Sequence, residues 1–201
     1  MIFGGLMSVV YYKKIQMHLK PKEEHQAAMD LLRHALSEKY PEILSGSSLP
    51  EIAPGSHGKP YFPDFPQVHF NISHCPGMIA CAIDDQPVGV DAEYIRPFSG
   101  RIIRRVLTPS EQRALEEAGS DDQAKNTAFF RFWTLKESWV KQTGSGLSVS
   151  LNSISFDICT EKEKVRILSS EPDLYFFQWM IDGHMLSLCS LHPKAPEVRG
   201  F

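Results

Sequence analysis

A chain of 201 residues that is 42% apolar and 22% charged can bury a core of its own, which excludes a disordered chain. Its 21 lysines and arginines against 24 aspartates and glutamates leave a net charge of −3, so a globally basic nucleic-acid or membrane-surface binder is excluded and any basic patch must be local. Cys75, Cys81, Cys159 and Cys189 form no C-x-x-C pair, which leaves zinc and dithiol motifs unsupported and suits a reducing, cytoplasmic compartment.

The chain opens on MIFGGLMSVVYY. It lacks a basic n-region and a small-residue cleavage site and is too short to span a bilayer, so it reads as a first strand, with Met7 as an alternative start. Residues 21–39 read as a helix: Pro21 suits the first turn, and Ala28, Leu31, Leu32, Ala35 and Leu36 recur as one apolar stripe. Residues 41–66 are rich in Pro, Gly and Ser, a long connection with a short strand expected near residues 50–53. VHFNISH alternates, with Val68, Phe70 and Ile72 on one face and His69, Asn71 and Ser73 on the other. Residues 78–83 read as a buried strand and VGVDAE as a third. Helices are expected at 101–106 and at 110–118, the second capped by Thr108 or Ser110 with Glu111 in its first turn. A stronger one runs over 126–143 and stops at Gly144-Ser145-Gly146. The remainder is β-rich, and Asp182-Gly183 between two apolar runs signals a hairpin. This order predicts an α+β protein of two similar lobes, each a small antiparallel sheet with packed helices.

Asp91 and Glu93 stand two apart on a strand, so their carboxylates leave the same face about 7 Å apart. They are either a solvated strand end or a pair held by a cation, for which oxygen ligands favour Mg²⁺. Glu137 shares a helical face with Phe130, Trp133 and Lys141. It reads equally as a site carboxylate or as half of a weak Glu137–Lys141 surface pair, with Phe132, Trp133 and Trp139 read as packing. Lys59 lies between Gly58 and Pro60 in a loop that a ligand can approach closely. Ser73 and His74, ending a strand near lysines, suit a phosphate. As a nucleophile pair they are weak, because neighbours on a strand point apart and no G-x-S-x-G elbow is present.

Four motifs stand in order: GKPYFP at 58–63, FNISH at 70–74, VGVDAE at 88–93 and FWTLKESWVKQTGSGL at 132–147. Together they resemble the 4′-phosphopantetheinyl transferases of the Sfp type, from about residue 20 nearly to the C-terminus. The resemblance implies a pseudo-dimer of two α/β lobes with the site in the cleft between them. An N-terminal lobe, 1–87, would take the adenine and 3′-phosphate side, and a C-terminal lobe, 88–201, the metal and the chemistry. It implies Mg²⁺-dependent transfer of phosphopantetheine from coenzyme A to a serine of an apo acyl or peptidyl carrier protein, releasing 3′,5′-ADP. Asp91, Glu93 and Glu137 would hold the metal, Lys141 the pyrophosphate, Ser73 and His74 the 3′-phosphate, and Lys59 and Pro60 the adenine end. Glu111 matches a glutamate linked to metal binding or nucleophile activation, which puts it with Glu137 and Lys141 among the catalytic residues. Where members of the family usually offer an arginine for the 3′-phosphate, His25 is followed here by Gln26, leaving Lys13, Lys14, Lys20 or Lys22 as substitutes. A monomer is expected, with no nucleic-acid or membrane partner. A non-catalytic coenzyme A-binding relative is the alternative, and an unrelated Mg²⁺-dependent phosphohydrolase fits the motif order less well.

Overall fold

The computed structural model describes residues 8–46, 48–55, 57–161 and 164–201, so the apolar residues 1–7 and the alternative start at Met7 lie outside the described residues. The remainder of the opening run forms β1 (Val9–Lys14), and α1 (Pro21–Lys39) follows. Glu23 closes the N-terminus of α1 by accepting from the Lys20 backbone N–H at 3.1 Å, and the five residues of its predicted stripe are buried. The long connection contains a short hairpin, β2 (Ala53–Pro54) with β3 (Pro60–Tyr61). Next come β4 (His69–Cys75), β5 (Met78–Asp84) and β6 (Gly89–Tyr94).

Residues 101–106 are one turn of 3₁₀ helix followed by the single turn α2 (Ile103–Val106). The cap of α3 (Pro109–Glu117) is Thr108. α4 (Asp122–Thr143) begins a turn earlier than its apolar pattern, because the Asp121 carboxylate accepts from the Ala124 N–H at 3.0 Å. It ends where Gly144 turns left-handed at φ +68°. β7 (Phe156–Glu161) pairs with β8 (Lys164–Ser169), and β9 (Tyr175–Ile181) with β10 (His184–Ser190). Asp182 and Gly183 both take positive φ, 47° and 76°, as the tight turn of the second hairpin requires. β11 (Glu197–Gly200) is last.

The two larger sheets are ordered β11-β1-β5-β4 and β6-β10-β9, and β2-β3 and β7-β8 stand as two-stranded pairs. α1 covers the outer face of the first through Leu31, Leu32 and Leu36 against Ile79, Cys81 and Ile83. α4 covers the outer face of the second through Phe129, Leu135 and Trp139 against Met185 and Cys189. Between the sheets lie Val10, Met78, Ala80, Val88, Val90, Leu186 and Leu188, each fully buried. This is the α+β arrangement of helix-backed sheets that the pattern predicts. The division at residue 88 is crossed, however: β11 returns to the first sheet and runs parallel to β1, with Val10 opposite Val198. That placement pairs the otherwise open edge of β1.

The polar face of β4 is buried, which simple alternation does not predict. Asn71 Oδ1 accepts from the Val90 N–H at 2.9 Å, and Ser73 Oγ accepts from the Ala92 N–H at 3.1 Å. Side chains of one sheet thus satisfy the edge backbone of the other and hold β4 beside β6.

A candidate active-site cleft between the sheets

The seam between β4 and β6 is roofed by α4, which crosses β6 closely. A methyl on Gly89 would collide with the backbone of Ser138 and Gln142, so this crossing requires glycine. The approach brings six predicted residues into one cleft of about 400 Å³: Ser73, His74, Asp91, Glu93, Glu137 and Lys141. Trp133, read from the sequence as packing, is half-buried and lines the cleft as well. Its position four residues before Glu137 on the same helical face was the signal available.

Asp91 sits deepest. Its Oδ1 accepts from Lys141 Nζ at 2.6 Å and from Ser73 Oγ at 3.0 Å. Its Oδ2 is buried and has no hydrogen-bond partner among the described residues. Burial pushes the Asp91 carboxyl up to about 6, against the pull of Lys141 and with a further push from Glu93. Burial also raises Glu137, which Asp91 and Glu93 push the same way and Lys141 opposes. Glu93 accepts from Arg96 Nη1 at 2.8 Å. Lys141 donates to Ser73 Oγ at 2.9 Å as well as to Asp91, and no Glu137–Lys141 pair forms among the described residues. His74 is exposed, with Nδ1 3.3 Å from Glu24 of α1.

Hard carboxylate oxygens, one of them buried and orphaned, with two groups raised by desolvation and mutual repulsion, fit a divalent cation bound through oxygen. A second acidic group, Asp84, Asp85 and His192, brings its ligand atoms within 4.8 Å of one another. There both Asp84 oxygens are already engaged, Oδ1 by the Gln86 N–H and His192 and Oδ2 by Ser8 and Ser190, so among the described residues that group offers no buried atom without a partner.

Glu111 does not join the cleft, which corrects its expected place among the catalytic residues. It is 1% exposed and bonded on every side. Oε2 accepts from Lys136 Nζ at 2.8 Å and from the Thr108 N–H at 2.7 Å, and Oε1 accepts from the Phe156 N–H at 2.9 Å. Lys136 also donates to Leu151 O and Ile154 O, so it is buried structure and faces neither cleft nor solvent. Lys59 and Pro60 line a different depression, of about 580 Å³, at the C-terminal end of α4. Of the lysines proposed as substitutes near the N-terminus, Lys14 pairs with Asp182 and Lys13 lies over the Phe201 ring.

The comparisons with known proteins agree on one family. The model of the 4′-phosphopantetheinyl transferase superfamily matches residues 87–189. The 4′-phosphopantetheinyl transferase Sfp of Bacillus subtilis (strain 168) is 34% identical over 97% of this chain and 87% of its own length. The 4′-phosphopantetheinyl transferase gsp of Aneurinibacillus migulanus is 30% identical over 98% and 83%. Among solved structures, holo-[acyl-carrier-protein] synthase of Thermotoga maritima covers 51% of this chain and 61% of its own at a TM-score of 0.40 and 19% identity, too loose to add to the sequence match.

Proposed function

Since this chain belongs to the 4′-phosphopantetheinyl transferase superfamily, we propose that it is an enzyme that moves the phosphopantetheine arm of coenzyme A onto a serine hydroxyl of an apo acyl or peptidyl carrier protein. The observation that carries this reading is the convergence of Asp91, Glu93, Glu137, Lys141, Ser73 and His74, which come from two strands of different sheets and one helix, in a single cleft.

In the reaction the bond between the pantetheine phosphorus and the bridging oxygen of 3′,5′-ADP breaks. A bond from the carrier serine oxygen to that phosphorus forms. Asp91, through its orphaned Oδ2, Glu93 and Glu137 are the residues that would hold Mg²⁺. When bound, the ion neutralises pyrophosphate charge. Glu137 lines the same cleft and is the carboxylate that takes the proton of the incoming hydroxyl. Lys141 places its ammonium beside Asp91, where the leaving phosphate gains negative charge. Ser73 and His74 face the same cleft and take the 3′-phosphate. No nucleophilic side chain of the enzyme is required.

Among the described residues no helix is long and apolar enough to cross a membrane, and a cytoplasmic monomer working on carrier proteins is the setting proposed. Incubation with coenzyme A, MgCl₂ and a panel of apo carriers tests it. A carrier gains the phosphopantetheine mass, and the gain disappears with EDTA. A protein that binds coenzyme A but modifies none of the panel is instead the non-catalytic relative.

A further inference from the structure

Lys59 does something other than what its place in the GKP loop predicts. Its ammonium is committed to two main-chain carbonyls, Val88 O and Gln142 O, each at 2.9 Å. The first carbonyl lies at the entry to β6 and the second in the last turn of α4. Gln142 Nε2 adds a contact to Pro87 O at 3.3 Å, so α4 and the entry to β6 are joined twice. The turn after α4 packs on the Lys59 stem: a methyl added at Gly144 would lie 3.4 Å from Lys59 Cδ, in ordinary van der Waals contact. The depression of about 580 Å³ has Lys59, Pro60 and Tyr61 in one wall and Thr143, Gly144 and Ser145 in the other. Lys59 ties these walls together.

We infer that Lys59 is a positioning residue for the nucleotide end of coenzyme A, an assignment that rests on the transferase reading above. Its amine clasps the hairpin loop to β6 and α4, fixes the width of the depression, and sets the turn of α4 that carries Lys141, the residue immediately before Gln142. It shapes the walls and does not bond the ligand. The groups that face the amine support this. Burial pushes Lys59 down to about 8, and only the Cys189 thiol of β10 pulls the other way. Across the site His69 of β4 is held below its ordinary range, first by burial and then by Lys59, so it is already neutral at pH 7. A neutral amine still has two N–H donors, one for each carbonyl. The clasp therefore survives loss of the charge, whereas a lysine–phosphate contact does not.

Calorimetric titration with coenzyme A and with 3′,5′-ADP at pH 7 and pH 9 separates the two. For a clasp, the wild-type affinity for each changes less than about threefold between the two pH values, and K59M weakens both ligands about tenfold at each pH. A wild-type affinity that falls about tenfold by pH 9, where K59M then matches it, makes Lys59 a direct charge contact and overturns the inference. So does a folded K59M that binds as the wild type does at both values. Where K59M fails to fold, the wild-type pH series still separates a clasp from a direct charge contact. A wild-type protein that binds neither ligand overturns the transferase reading itself, and the inference with it. K59M equal to a wild type that binds overturns the inference alone.

Discussion

Asp91 is kept in the cleft at the expense of stability. Its folded-state value near 6 lies above the unfolded value of 3.8, so from roughly pH 4 to pH 6 the native chain retains a proton that the unfolded chain has lost. Its favourable contribution is complete below the unfolded value and disappears as pH rises through about 6. A span of about two pH units at roughly 1.4 kcal/mol each makes the penalty at pH 7 on the order of 3 kcal/mol. A cation beside the orphaned Oδ2 offsets that penalty. Urea denaturation of the metal-free protein is therefore expected to show stability falling from pH 5 to pH 7. Millimolar MgCl₂ is expected to raise the melting temperature more at pH 7 than at pH 5. Asp91→Asn preserves shape and an acceptor for Ser73, flattens the pH dependence and abolishes carrier modification. Wild-type transfer rates in the Asp91→Asn variant rule out the ligand role.

At the scale of an element, α4 shows what a helical face says and what it conceals. Glu137 and Lys141 lie four apart beside Trp133, and that spacing was enough to place them together. Lys136, one residue earlier, points about 100° away on the helix. There the Glu111 carboxylate and two carbonyls receive it beneath the 151–156 segment. Nothing local distinguishes a lysine whose stem is buried from one that reaches solvent, because its partners come from α3 and a 3₁₀ turn. Glu111 itself was legible as a cap, since T-x-x-E before an apolar run is a capping box. Its second bond, to the Phe156 N–H, was not. Glu111→Ala leaves Lys136 charged and buried, and is expected to cost about 3–5 kcal/mol by urea denaturation. The double change Glu111→Leu with Lys136→Met removes the unpaired charge but leaves the Phe156 N–H and the Leu151 and Ile154 carbonyls without their partners. It therefore recovers only part of that loss, and the folded fraction of either variant keeps its transfer rate. An alanine variant of normal stability that cannot modify carriers returns Glu111 to the catalytic set.

For the whole molecule, the two helix-backed sheets were legible from period and order, because α1 and α4 carry long apolar stripes and β5 and β10 are buried throughout. What joins the sheets was not, since it depends on contacts distant in sequence: Asn71 and Ser73 along β6, the four residues of β11, and the polar cluster around Asp84. That cluster gathers the start of β1, the end of β5 and the exit of β10. Asp84 accepts from Ser8 and Ser190, and His192 Nε2 lies 3.1 Å from Asp84 and 2.9 Å from Asp85. Burial lowers His192, but the Asp85 hydrogen bond and the Asp84 charge outweigh it and leave the ring above its ordinary range. A histidine raised in the folded state contributes fully below the unfolded value of 6.5, and the contribution disappears as pH rises through the higher folded value. The ring is 26% exposed, which discounts a hydrogen bond to a charged group to about 1 kcal/mol. His192→Gln is thus expected to lower the urea midpoint clearly at pH 6 and hardly at pH 9. The unfolding stays a single transition, because both sheets share the apolar layer between them. Taking the difference between wild type and variant at each pH cancels the titration of Asp91, which both chains retain. A difference as large at pH 9 as at pH 6 means that the ring acts by packing alone, and an ionic contact between the exit of β10 and the end of β5 is then wrong.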